Sequence, residues 1–124
     1  LVDCPGAADV LLRAVMRAAD LVVAPAQPSP PDAWASRATL SMALREGALA
    51  RVVLNRVSAR GGPVAETAAL LEEAGAEFFE TRVGNRVAFP NAFLEGRGVT
   101  ELPRGGKAAE EIAALSGEIA ALLG

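Results

Sequence analysis

Apolar and polar positions change their period several times along this chain, and each change predicts an element. Leu1-Val2 precede the polar turn Asp3-Cys4-Pro5-Gly6 and read as the carboxyl end of a strand. Val10, Leu11, Ala14, Val15 and Ala18 then recur at helical spacing, and at Asp20 the pattern switches to the short run Leu21-Val22-Val23-Ala24, closed by Pro25. That is a helix feeding a buried strand. Prolines lack a backbone donor and fix φ, so Gln27-Pro28-Ser29-Pro30-Pro31-Asp32 predicts a loop. Ser29 or Asp32 can cap the helix that follows through Trp34, Leu40 and Leu44 to Gly47.

Arg51-Val52-Val53-Leu54 is again a short β-branched run, stopped by Asn55. Pro63 suits the first turn of a helix that carries Leu70, Leu71 and Ala74 to Gly75. Ala76-Glu77-Phe78-Phe79 predicts a fourth strand, residues 85–95 a short helix, and Gly96 to Gly106 a loop. A last helix over Lys107 to Leu123 lays Ala108, Ile112, Leu115, Ile119 and Leu122 on one stripe.

Strands alternating with helices predict an α/β fold, a parallel sheet with helices on both faces in three layers, built through right-handed crossovers. Residues that follow parallel strands converge on one sheet edge, where ligands bind. Here they are Asp3 to Gly6, Pro25 to Asp32, Asn55-Arg56 and Arg82 to Arg86, which include the most distinctive polar, Pro and Gly residues of the chain.

Composition narrows the chemistry. At 124 residues, a single domain spanning 1–124 is expected, large enough to bury roughly two thirds of its unfolded surface. Hydrophobic residues make up 52% and aromatics only 4%, which suits Ala- and Leu-rich helices on a buried sheet. Cys4 is the only cysteine and there is no His, so an intramolecular disulfide, a cysteine-rich zinc site and the usual His-based catalytic arrangements are excluded. A net charge of -3 argues against coating nucleic acid by bulk charge, so any DNA contact must be local. No apolar run has the ~20 residues needed to span a bilayer and no signal-peptide pattern is present; no membrane partner and a cytoplasmic location are the expectations. The absence of an initiator Met before an apolar start predicts residues upstream of Leu1.

Three stretches then carry a resemblance. Val2-Asp3-Cys4-Pro5-Gly6, Ala18-Ala19-Asp20-Leu21-Val22-Val23-Ala24-Pro25 and Gln27-Pro28-Ser29-Pro30-Pro31-Asp32-Ala33-Trp34-Ala35 resemble, in order and spacing, the ParA/MinD family of ATPases with a deviant Walker A motif, most of all its short ParA members. The resemblance continues through Val53-Leu54-Asn55-Arg56, Arg86-Val87-Ala88-Phe89, the Gly96 to Glu101 loop and Lys107 to Ile112, and so covers essentially the whole chain. It implies a P-loop NTPase-like domain that dimerises around ATP and Mg²⁺, binds DNA non-specifically and works with a centromere-binding partner in partition of plasmids or chromosomes.

Residue by residue, the resemblance implies that Asp3 reaches Mg²⁺ through water and serves catalysis, that Pro5 and Gly6 form the turn sensing the γ-phosphate, and that Asn55 reads the adenine edge. An Asn offers both the donor and the acceptor this needs. Pro28, Ser29 and Asp32 would lie at the dimer interface beside the nucleotide. Arg86, with Arg82 and Arg97, would face DNA phosphates; Arg104, Lys107, Arg56 and Arg60 extend the same set of cations. Plainer roles stay open: Asp3 as a turn residue, Asn55 as a strand terminator, Pro28 to Asp32 as a rigid loop with a helix cap, Cys4 and Trp34 as packing. The cations can equally form a solvated face paired with Glu95 and Glu101.

One departure matters most. The Gly-rich loop with two lysines that cradles the phosphates in that family is absent from these residues, whose one lysine is Lys107. The chain therefore resembles the carboxyl-terminal portion of such an ATPase, lacking the N-terminal P-loop portion. Two other readings of the same pattern are a metabolic enzyme similar to dethiobiotin synthetase or a cobyrinic-acid amidase, and an interaction module without hydrolysis. A Gly-rich loop upstream with two lysines, one or none separates the three.

Overall fold

The computed structural model describes residues 1–4 and 9–124. Helix α1 (Asp9–Ala18) leads into strand β1 (Val22–Ala26), helix α2 (Pro30–Arg45), strand β2 (Ala50–Leu54) and helix α3 (Val64–Glu72). A short helix α4 (Ala88–Leu94), a 3₁₀ turn at Val99–Glu101 and the long helix α5 (Gly106–Leu123) complete the order. The alternation expected from the sequence is therefore present, and the fold is α/β.

β1 and β2 run parallel in the register Val22↔Ala50 through Ala26↔Leu54. The Val22 N–H donates to the Leu49 carbonyl and the Asn55 N–H to the Ala26 carbonyl, so the even residues of β1 face β2 and the odd ones face away. This is why Pro25 sits inside the strand rather than closing it as expected: its missing N–H points to the outer edge, where no ladder bond is lost.

On the other side of β2 runs the segment expected to be a fourth strand. It pairs only through isolated parallel bridges, Val52↔Phe78 and Val57↔Gly84, so among the described residues the sheet has two strands. The Val52 N–H donates to Glu77 and the Phe79 N–H to Val52, and pairing resumes only at Val83, whose N–H donates to Leu54. Between them the ladder skips two residues: the Thr81 N–H, which would continue it to Leu54, goes instead to the Glu118 carboxylate on α5 at 2.8 Å, as does the N–H of Glu80 at the same distance. Leu1 and Val2 form no strand and stand exposed, so the expected opening strand is not seen either.

β2 is buried on both sides, which explains its unbroken Val-Val-Leu run. Val52 packs with Ala24, Ala26, Ala33, Leu40 and Leu71 beneath α2 and α3. Val53, one residue on and pointing the opposite way, packs with Phe79 and Val83 under Ile112, Leu115, Ile119 and Leu122 of α5. The α5 stripe is thus the one anticipated. A third cluster, Ala92, Val99 and Ala108, anchors α4 to the start of α5; a Cβ at Gly105 would clash with the backbone carbonyl of Val99, so the approach of the 3₁₀ turn to α5 requires glycine.

Two helix faces differ from expectation. α2 buries Leu40 together with the small residues Ala33, Ser36 and Ala43, which let the helix approach closely, and Trp34 and Leu44 are left 61% and 58% exposed. α1 buries Met16 and turns Val10, Leu11, Ala14 and Ala18 outward, rotated from the expected face. Its neighbour sets the choice: Arg17 pairs with Glu46 at the end of α2 at 2.6 Å, beside the buried Met16.

Candidate functional site

Parallel pairing gathers three segments at the carboxyl-terminal edge of the sheet. Ala26 accepts from Asn55, Val57 donates to Val83, and Asn85 donates to Val57. The loops after β1, after β2 and after the bridged segment therefore lie side by side, as the strand order predicted.

The first loop is built by local hydrogen bonds. Ser29 is the N-cap of α2, its hydroxyl accepting from the Asp32 N–H at 3.4 Å, with Pro30 and Pro31 in the first turn where no donor is needed. The Asp32 carboxylate reaches back to the Gln27 N–H at 2.5 Å and spans the loop. Pro28 and Ser29 are half-buried in this turn. The capped-loop role open in the sequence is thus present, and it leaves the loop rigid at the edge.

After β2, the carboxamide oxygen of Asn55 accepts from the Arg56 N–H at 2.9 Å, and Arg56 adopts a φ of 54°. A non-glycine residue in the left-handed region is a strained turn, held here by that Asn side chain. The Asn55 amide group keeps its two donors. A purine edge needs such donors close to backbone that can supply acceptors, and the residue meets the first requirement.

The third segment holds the strongest electrostatic feature. Arg86 turns back over Gly84 and binds Glu111 of α5 through one two-pronged fork: Nε to Oε2 at 2.9 Å, and Nη2 to Oε1. The Gly84 N–H joins the same Oε2 at 3.0 Å, so three donors converge on one carboxylate. Hydrogen bonding from Arg86 holds the Glu111 carboxyl below its usual value against the opposing effect of burial, and Glu111 in turn raises the Arg86 guanidinium. Two turns along α5, the Glu118 carboxyl is also lowered, first by the Thr81 hydroxyl and then by the N–H groups of Glu80 and Thr81. α5 thus holds residues 80–86 with two acids.

The remaining residues singled out in the sequence are placed as follows. Asp3 is exposed ahead of α1, and among the described residues it makes no hydrogen bond or ion pair. Pro5 and Gly6 lie outside the described residues. Arg82 is exposed and lines a cleft of about 280 Å³ with Leu54, Glu72, Phe79 and Glu80. Arg97 faces Glu95 at 3.6 Å and lines an open apolar groove with Phe89, Phe93, Leu94 and Val99. The ion-pair role open to the cations is therefore taken up by Arg86 and Arg97, though the partner of Arg86 is Glu111 rather than Glu95 or Glu101.

Glu111 and Glu118 were missed in the sequence. The available signal was two acids spaced two turns apart along the border of the α5 apolar stripe. For a cofactor, the edge offers Asn55 to a base; for a metal, no group of three acids, His or Cys among the described residues could hold one. Asp3 alone suits only a magnesium ion carried mainly by phosphates and water. No helix of the described residues is long and apolar enough to cross a membrane.

No family model matches the chain. Over 126 aligned residues it is 32% identical to the maintenance of carboxysome distribution protein A of Halothiobacillus neapolitanus (strain ATCC 23641 / c2). The alignment takes in 96% of this chain and 58% of that protein, so the chain spans a little over half the length of the curated relative to which it is similar.

Proposed function

We propose that this chain is the carboxyl-terminal part of a ParA-like positioning ATPase, which binds ATP and Mg²⁺, dimerises on the nucleotide and carries a cargo over non-specific DNA. The observation that carries this reading is the convergence of the capped loop 27–32, Asn55-Arg56 and residues 83–86 on one sheet edge, in the order that the family resemblance requires. Similarity to a carboxysome distribution protein over nearly the whole chain supports it independently. That protein's name concerns distribution of a cellular body, so a positioned body is a fitter cargo than a plasmid or chromosome as such, and the partner is the adaptor on that body.

In this reading Asn55 donates to the adenine ring, Asp3 orders a water on Mg²⁺, and Pro5-Gly6 turn the chain beside the γ-phosphate. Pro28, Ser29 and Asp32 present a preformed surface to the second subunit. ATP with its Mg²⁺ supplies the energy of the cycle, while the lysines that stabilise the transferring phosphoryl group come from residues outside these 124. Arg86, with Arg82 and Arg97, meets DNA phosphates.

The test is nucleotide binding by the complete protein with Asn55→Ala. ATP affinity and the preference for adenine over guanine should both fall, with the fold intact by circular dichroism. Unchanged affinity and preference would remove the base from this edge, and with it the placement of the nucleotide.

A further inference from the structure

The donors around Glu111 form an anion seat that is already filled. Arg86 Nε and Nη2 and the Gly84 N–H all point at one carboxylate, and the fork geometry that fits a carboxylate fits a phosphate equally well. Residue 84 makes the seat possible: a Cβ there would lie 2.9 Å from Arg86 Cζ, so only glycine lets the guanidinium lie over its own turn. The side chains of Arg86 and Glu111 keep 31% and 20% of their surface in water, so the pair is reachable from outside. Glu110 adds a second negative charge near the same guanidinium.

We propose that Glu111 is a built-in competitor of DNA, a resident carboxylate occupying the seat of Gly84 and Arg86 that a backbone phosphate must take over, so that α5 sets how readily the protein holds DNA. This rests on the reading of Arg86 as a phosphate contact. A phosphate approaching Arg86 meets a guanidinium whose fork is occupied and whose charge is cancelled; it binds only by exchanging with Glu111, and a shift of α5 would free the seat.

The experiment measures binding of the complete protein, with ATP, to a random-sequence DNA duplex across a salt series, by fluorescence anisotropy. Glu111→Gln should tighten binding several-fold and steepen the logarithmic salt slope by about one, the signature of one more phosphate contact. Adding Arg86→Ala to Glu111→Gln should abolish the gain. Glu110→Gln removes the same charge without opening the fork; if it tightens binding as much as Glu111→Gln, the effect is bulk charge and the competitor role is overturned. Unchanged or weaker binding by Glu111→Gln, in a protein that Arg86→Ala does weaken, overturns it too while leaving Arg86 on the DNA. Unchanged binding and slope with Arg86→Ala would overturn the DNA reading of that residue itself, and the competitor with it.

Discussion

Arg86 reaches Glu111 because residue 84 carries no Cβ, and this gives the residue scale its sharpest prediction. In Gly84→Ala the new methyl meets the far end of a flexible side chain rather than backbone, so Arg86 swings aside and the fold survives. A crystal structure or ¹⁵N side-chain spectrum of the variant should show the guanidinium released from Glu111, with only a small drop in Tm. Thr67 offers a prediction of opposite sign. Its hydroxyl is buried on α3 with no hydrogen-bond partner, so it keeps a desolvation cost without a compensating bond. Thr67→Val is expected to stabilise by about 1 kcal/mol in denaturant unfolding, since the methyl that replaces the hydroxyl fills the same space.

At the scale of elements, α2 depends on its first turn and residues 80–86 on α5. Ser29→Ala removes the cap and should cost about 1 kcal/mol, a fall in Tm of roughly 4 °C in a calorimetric scan. The acids of α5 give a pH signature. Glu111 and Glu118 both bind protons more weakly folded than unfolded, so below about pH 4.5 the unfolded chain holds more protons and stability rises with pH through that window. Their contribution is complete above it and is lost as the pH falls through the lowered folded values. Chemical denaturation from pH 3 to 6 should show this rise in the natural chain, and the double change Glu111→Gln with Glu118→Gln should flatten it.

At the scale of the whole molecule, the outer edge of β1 decides behaviour. The backbone groups of Val23 and Pro25 face away from β2 and meet no partner among the described residues, while Val23 itself is 37% exposed. They leave an open sheet edge, and Leu1, Val2, Val10 and Leu11 add exposed apolar surface elsewhere on the chain. Purified alone, residues 1–124 are expected to self-associate and to hydrolyse no ATP above background. A monodisperse, cooperatively melting monomer in light scattering, or turnover from a contaminant-free sample, would count against the proposed function.

What the sequence determined by itself was everything that local periodicity encodes. The order of helices and strands, the buried β2 run Val52 to Leu54 and the α5 stripe from Ala108 to Leu122 follow from the steps between apolar residues, and the sheet-edge position of Asn55 follows from parallel strand order. Tertiary structure alone decided which part of the broad apolar arc of α1 turns inward, since Val10 and Met16 both lie in that arc and the neighbouring α2 decides between them. It also decided that residues 76–84 bridge rather than pair throughout, because a distant carboxylate, Glu118, takes the Thr81 N–H that would continue the ladder on β2. The Arg86–Glu111 pair spans 25 positions of sequence, and no local pattern fixes the partner of a long cation when several acids lie within its reach. Periodicity is a property of neighbours along the chain; ion pairs and backbone bonds across it are settled by which surfaces the packed core brings together.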